Sequence, residues 1–455
     1  GTDDHDRVGH DDGATPAQSP AMTLFKKALL AVLGLVIILF AWIGILSMTR
    51  GTPLRAVHAI GDRSGPPEVS DPLFGNTMEL FSYAHLDAGN RVQLLNNGDE
   101  SYPPLWKDIR AARSTITVQL YYCQPGAVAD SLARYLSERA RAKVRVLVLL
   151  DAFGAQPLRK DKRWVKQLTD AGVEIAWLRP LHWYSLHKAN NRSHVRAIVV
   201  DGRVGYTGGF GLADYWLGDG RRDDQWRDSN VRFEGPAVMQ LQAAFAAAWV
   251  EATGEMVIGD LYFPRASFQP VGPTRAGLLF SGPTTGSTTA ERFMAVSIAS
   301  ARKRYYAANS YFVPDDDFRR LLVQAAKRGV DVRILTAGPK TDVKTTTYAG
   351  RARYPELLEG GVRIYEYQPT MMHSKTFVVD GVWSTVGSLN FDNRSLAFNN
   401  ESNLVMLDAT LGAQMDSIFL SDLRYAKEIT MADVNARNWI QRGLEWGATV
   451  LARQL

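Results

Sequence analysis

The stretch His373-Ser-Lys375-Thr-Phe-Val-Val-Asp380-Gly381, followed by Val386-Gly387-Ser388-Leu389-Asn390, decides how the rest of the chain is read. Its apolar run between the basic residue and the aspartate has the composition of a buried strand. His373 and Lys375 lie two positions apart, so a strand projects both side chains from one face. That face presents an imidazole and a cation to a single ligand. Asp380 falls at the turn marked by Gly381, a place that anchors a strand end. A lone histidine in a strand is more often a satisfied core residue than a catalyst. Fixing His, Lys, Asp, Gly, Ser and Asn together makes coincidence a poor explanation.

The pattern recurs in the first half as His194-Val-Arg196-Ala-Ile-Val-Val-Asp201-Gly202, then Thr207-Gly208-Gly209-Phe210-Gly211. The repetition extends outward. Asp108-Ile-Arg-Ala-Ala-Arg113 leads into a strand-like run, Thr115 to Tyr122, and Ser297-Ile-Ala-Ser-Ala-Arg302 leads into another, Tyr305 to Val313. Each copy continues as a helical segment and a second apolar strand: Ala129–Ala142 then Val144–Leu150, and Phe318–Lys327 then Val330–Leu335. Strand, helix, strand with short joints predicts a βαβ unit, so the chain reads as two α/β lobes in tandem.

Two histidines in one pocket suit phosphodiester exchange through a covalent intermediate. One imidazole, neutral, attacks phosphorus; the other, protonated, supplies a proton to the leaving alkoxide. Lysine and arginine stabilise charge on the non-bridging oxygens, usually the largest contribution in such chemistry. Ser388 and Asn390 can donate further hydrogen bonds. A carboxylate behind each imidazole would fix its tautomer.

The doubled motif resembles the HxK(x)4D signature of the phospholipase D superfamily. Leu94-Leu-Asn-Asn-Gly-Asp-Glu100, Trp226-Arg-Asp228, Arg232-Phe-Glu-Gly-Pro236, Tyr311-Phe-Val-Pro-Asp315 and Gly361-Val-Arg-Ile-Tyr-Glu-Tyr-Gln-Pro369 narrow the likeness to bacterial cardiolipin synthases. The resemblance covers roughly Arg91 to the C-terminus. It implies two phospholipase D-like lobes with pseudo-twofold symmetry, both motifs meeting at one cleft, and a metal-independent phosphohistidine mechanism without cofactor. It places His194, Arg196, Asp201, His373, Lys375 and Asp380 in the catalytic set, with His194 as nucleophile and His373 as general acid, then base. Ser388 and Asn390 would bind phosphate, and Asp228 and Glu401 would support the histidines. Two positions depart from the family pattern. Arg196 stands where lysine is usual, and an arginine is longer, planar and bidentate. Gly211 stands where asparagine is frequent and removes a side-chain donor.

The bulk numbers leave room for this reading. The 455 residues exceed one ordinary core. Apolar residues make up 46% and charged residues 22%, a globular balance. The formal charge of +5 suits an anionic partner, lipid or nucleic acid, without choosing between them. One cysteine, Cys123, excludes an intrachain disulfide, and no Cys/His spacing calls for a metal. Residues 1–24 read as a polar disordered tail and 25–50 as a transmembrane anchor. Its apolar run, Ala28 to Leu46, just crosses a hydrocarbon core about 30 Å thick. A signal peptide would have a shorter run and a small-residue cleavage site. A Pro/Gly-rich linker, 51–90, follows, then the lobes, 91–270 and 271–425, and a helical tail, 426–455. In that tail Trp439, Ile440, Leu444, Trp446, Val450 and Leu451 lie among Arg437, Arg442 and Arg453. This suits an interfacial helix, although a terminal helix packed on the domain is the preferred reading. Trp183-Tyr-Ser-Leu-His-Lys188 reads equally as a lip to the cleft or a solvated loop.

The expected function is therefore a single-pass inner-membrane phosphatidyltransferase. It would make cardiolipin from phosphatidylglycerol, with phospholipid and bilayer as partners and no nucleic acid. Water in place of the acceptor alcohol would make it a phospholipase D-type hydrolase. A nuclease, and a lipid-binding homologue degraded at Arg196 and Gly211, are the remaining alternatives.

Overall fold

The computed structural model describes residues 20–47, 54, 56–57, 65–181, 183, 190–284 and 286–452. The polar tail before Pro20, much of the linker, Arg453 and most of the segment after Trp183 lie outside the described residues. The chain divides into two compact units, Gly1–Thr49 and Arg50–Leu455. The first holds the helix Pro20–Ser47. Its window Leu24–Trp42 has a mean hydropathy of 2.4, and none of it is buried. A helix apolar on every side has no solvated face, and this one is long enough to cross a bilayer.

The strands of the second unit run in two series. The first comprises β1 (Asp87–Asn96), β2 (Thr115–Leu120), β3 (Arg145–Asp151), β4 (Glu174–Leu178), β5 (Ala197–Val200), β6 (Val204–Gly208), β7 (Trp226–Arg227) and β8 (Ser229–Glu234). The second comprises β9 (Thr274–Ser281), β10 (Arg304–Asn309), β11 (Asp331–Ala337), β12 (Arg363–Tyr367), β13 (Met371–Met372), β14 (Lys375–Val379), β15 (Trp383–Gly387), β16 (Glu401–Leu407) and β17 (Ala426–Ile429). Fifteen of them form one sheet in the order β17-β12-β11-β10-β14-β15-β16-β9-β1-β8-β6-β5-β2-β3-β4. Outward from the central β9–β1 pair the order is the same in both directions, and β17 is the one addition. Two lobes therefore repeat one topology and join edge to edge, as the doubled sequence pattern requires.

The parallel strands β2, β3 and β4, and likewise β10, β11 and β12, carry the predicted βαβ units. The crossover helices are Ala127–Arg141 and Asp316–Lys327. All of β2 is buried although its sequence alternates, Thr115, Thr117 and Gln119 with Ile116, Val118 and Leu120. Thr117 donates to Gln242 Oε1 at 3.0 Å and Gln119 to Ser193 Oγ at 3.1 Å, so the buried polar face is hydrogen-bonded. The lobes share apolar packing: Val231, Phe233 and Leu241 of the first cluster with Leu278, Val386 and Leu404 of the second. That shared core explains why they behave as one unit.

Three segments differ from the sequence reading. Inside the expected linker, the helix Leu73–Ser82 buries Phe74 and Met78. Phe74 meets Trp383 edge-on at 5.2 Å, so this segment belongs to the second lobe's core. In the expected helical tail, β17 pairs antiparallel with β12 and closes the sheet edge. Asp201 and Asp380, expected in the catalytic set, sit at the far ends of β5 and β14. Asp201 accepts from the backbone N–H groups of Arg113, Ser114 and Thr115. Asp380 does the same for Arg302, Lys303 and Arg304. Their carboxylates are saturated by peptide donors and fix the start of β2 and β10, so they act as anchors and do not reach the histidines.

Candidate active site

The histidines lie just before β5 and β14, outside the strands proper. Each is held by a backbone bond to the other lobe. The His373 N–H donates to the Arg227 carbonyl at 2.7 Å, and the His194 N–H donates to the Asn400 carbonyl at 2.8 Å. Around these bonds, β13 pairs with β7 in parallel, and Ser193 bridges Asn400. The partly buried ion pair between Arg227 Nη2 and Asp422 Oδ2, 2.7 Å, fastens the β7 segment.

The same crossing brings the supporting carboxylates. Asp228, of the first lobe, lies 2.8 Å from Nδ1 of His373, of the second. Glu401, of the second lobe, lies 3.2 Å from Nδ1 of His194, of the first. Each lobe thus orients the other's imidazole, and each ring keeps Nε2 for chemistry. Burial alone would push the Asp228 carboxyl up. His373, Lys375 and the Trp216 indole, whose Nε1 donates to Asp228 at 2.8 Å, outweigh burial and hold it below the usual range. His373 is pulled down to about 4, first by burial and then by Lys375, against the opposing pull of Asp228.

Arg196 and Lys375 are both buried. Arg196 donates to the carbonyls of Phe210 (2.8 Å) and His194 (3.1 Å). Lys375 donates to Ser310 Oγ (2.7 Å) and the His373 carbonyl (2.5 Å). Neither forms an ion pair among the described residues. Burial lowers the arginine and brings the lysine down to about 7. The Asp228 and Glu401 carboxylates, one from each lobe, oppose that fall, and Arg196 adds to it.

Ser388 Oγ donates to Glu401 Oε2 at 2.5 Å and accepts from the Ser402 N–H at 2.9 Å. Its proton is committed to the carboxylate, which makes it a support for Glu401 in this state. Asn390 is buried, and its Oδ1 has no hydrogen-bond partner among the described residues. Gly211, the counterpart of Asn390, has a physical reason. A Cβ there would stand 2.8 Å from the Trp216 ring and 2.7 Å from the Tyr122 carbonyl. At Gly209, the counterpart of Ser388, a Cβ would stand 2.1 Å from Asp228 Oδ1. The two glycines clear the space that Asp228 and Trp216 fill.

Four supporting residues escaped the sequence reading. Asn399 follows the π-helical turn Arg394–Phe398, and its Nδ2 lies 3.3 Å from both His194 Nδ1 and Glu401 Oε1. Ser310 steadies Lys375. Trp216 steadies Asp228. The Tyr121 ring packs 4.2 Å from the His194 ring. The repeat carries no signal for them, because the residues at matching positions differ between the halves.

Over residues 105–249 and 294–423 the chain matches the family described as cardiolipin synthase, PLD-like domain. A cardiolipin synthase of Alkalihalophilus pseudofirmus is 30% identical over 88% of this chain and 80% of its own length. One of Geobacillus kaustophilus is 34% identical over 75% of this chain and 67% of its own. Among solved structures, the phosphatidylserine synthase of Haemophilus influenzae Rd KW20 covers 84% of this chain and 99% of its own, with a TM-score of 0.63 at 14% identity. At that identity the likeness speaks for the fold alone. The chain belongs to the cardiolipin synthase, PLD-like domain family of the phospholipase D superfamily.

Proposed function

We propose that this protein, a phosphatidyltransferase of the phospholipase D superfamily, joins two phosphatidylglycerols into cardiolipin and releases glycerol. The observation that carries the reading is a pair of buried cations, Arg196 and Lys375, without ion-pair partners among the described residues. Each donates to the backbone carbonyl of the histidine two positions before it, and those two imidazoles take their carboxylates from opposite lobes. Buried charge left uncompensated is unfavourable, and an anionic phosphodiester compensates it.

In the first step His194 Nε2 attacks the phosphorus of one phosphatidylglycerol. The bond from phosphorus to the headgroup oxygen breaks, and the departing glycerol takes the proton of His373. Glu401 balances the cationic phosphohistidine ring. In the second step a headgroup hydroxyl of another phosphatidylglycerol gives its proton back to His373. Its oxygen then attacks phosphorus, the P–N bond breaks, and His194 is restored. Depressed to about 4, His373 is neutral until an anion arrives. The phosphodiester's negative charge raises it, so the proton is loaded where it is used. The bacterial inner membrane is the compartment that fits a bilayer substrate and the apolar helix Leu24–Trp42.

The test uses full-length protein in phosphatidylglycerol vesicles, where cardiolipin and glycerol should form. Phosphatidic acid as the main product would make it a hydrolase. His194→Ala and His373→Ala should each lower turnover by at least ~10³-fold. With a phosphatidyl-nitrophenol substrate, whose leaving group needs no acid, His373→Ala should accumulate an adduct on His194 and His194→Ala none. An adduct on His373 in the converse experiment would reverse the two roles.

A further inference from the structure

The C-terminal helix Trp439–Leu451 is well formed but only half used. Asn438 caps it, accepting from the Gln441 N–H at 2.9 Å, while Gln441 Oε1 accepts from the Asn438 N–H at 3.2 Å. It docks by a narrow face. Ala448 packs with Val313 and Ala349, and Glu445 pairs with Arg437 at 3.0 Å. The rest is open: Trp439 is 82% exposed and Trp446 74%, with Ile440, Leu444, Val450 and Leu451 exposed beside them. At about 100° per residue these six side chains fill one stripe roughly 160° wide. Gly443 and Gly447 lie inside the stripe, with nothing near their Cβ positions, so no polar side chain interrupts it. Glu445, the only acid on the helix, is turned inward, which leaves Arg442, at the stripe's edge, as its exposed charge.

We propose that this face lies in the interfacial layer of a bilayer containing anionic lipid, beside the catalytic cleft. Tryptophans at the edge of an apolar stripe, flanked by a cation and without exposed acid, match the headgroup boundary. A second copy of the chain fits less well. Thirteen residues make a face about 20 Å long and about 10 Å wide, on the order of 200 Å², far short of the roughly 800 Å² per partner of a stable interface. The helix docks on Lys344–Arg351, which begins two residues after Asp342. Asp342 accepts from the Tyr311 hydroxyl at 2.7 Å, and the Tyr311 ring lies 6.0 Å from Lys375 Nζ. Seating the helix in the lipid surface therefore sets the rim of the site against its substrate. The proposal rests on the reading that the substrate is a bilayer lipid.

Full-length protein in phosphatidylethanolamine/phosphatidylglycerol vesicles provides the test, spin-labelled at Val450→Cys within the stripe or at Thr449→Cys outside it. Cys123 is buried and stays in place. The Val450 label should be relaxed by oxygen dissolved in the lipid, and the Thr449 label by a water-soluble nickel complex. Equal exposure of both labels to nickel would overturn the proposal, as would spin–spin broadening at Val450 from a second copy. Trp439→Ser combined with Trp446→Ser should slow conversion of long-chain lipid in vesicles by roughly three- to tenfold. The same variant should leave conversion of dispersed short-chain phosphatidylglycerol unchanged. If wild-type protein converts neither lipid, the catalytic reading falls while the label depths still decide the helix.

Discussion

The two half-sites share a motif and a carboxylate lent by the opposite lobe, and differ in how closely that support is packed. His373 has its carboxylate at 2.8 Å, a side chain 7% exposed, and the rings of Trp226 and Trp216 at 4.9 and 5.3 Å. His194 has its carboxylate at 3.2 Å and a side chain 14% exposed, with the amide of Asn399 sharing the contact. One half carries a lysine held by a serine, the other an arginine held by two carbonyls. Duplication supplies a symmetric pair of imidazoles, and the asymmetric support gives them unequal work. The tighter, drier half suits the imidazole that loads and unloads a proton, because its charge then depends on what occupies the pocket.

The largest break in this arrangement is Lys375→Met. It removes the cation nearest His373 and should lower turnover by at least ~10²-fold. It should also stabilise the fold, by on the order of 2 kcal/mol, since a buried charge without a counterion is replaced by an apolar chain of similar length. The sign is checked by pH. Burial depresses the folded-state lysine to about 7, below its ordinary value. The unfolded chain then binds more protons in the alkaline range, so stability rises with pH above 7 in wild type and stays flat there in the variant. Affinity for a short-chain dialkyl phosphate, which does not itself titrate, should weaken up to about tenfold per pH unit above 7. A flat binding profile would show that Lys375 keeps its charge in the empty site.

Next in size is the contrast between the carboxylates. Asp228→Asn should lower turnover roughly 100-fold and Glu401→Gln roughly tenfold, because Glu401 shares its role with Asn399 and Ser388. The Asp228 variant should recover with the nitrophenyl leaving group, as loss of an acid's partner would; the Glu401 variant should not. Equal losses and equal recovery would erase the difference between the halves.

Much of the fold was legible because it is written locally. The buried runs of β2, β5, β10 and β14 and the recurring His-x-basic pattern need only composition and spacing. The likeness also marked Asp228 and Glu401. Their exchange between lobes was not legible, since Asp228 reaches His373 across a contact far apart in sequence. The helix Leu73–Ser82 was hidden because it is short, follows Pro/Gly-rich chain, and is justified only by the Trp383 ring it meets. Asp201 and Asp380 entered the catalytic set through the family likeness alone. The turn at Gly381 already marked Asp380 as a strand-end anchor, and three peptide N–H groups apiece make both of them that. Gly211 looked like a lost donor, although the Trp216 ring it admits brings an indole N–H to Asp228.

The smallest effect belongs to Arg196→Lys, and it separates a degenerate site from an adapted one. Were Arg196 a defect, the lysine would raise turnover. The geometry says otherwise. Nε donates to Phe210 and Nη1 to His194, two carbonyls that a guanidinium spans as a fork. A single ammonium on a shorter reach holds one of them and leaves the other carbonyl buried and unpaired. Turnover should therefore fall by roughly three- to tenfold, mostly in kcat, with the phosphohistidine still formed on His194. A gain in kcat would mean that the first half-site has drifted from its chemistry, and that the asymmetry between the halves is decay instead of division of labour.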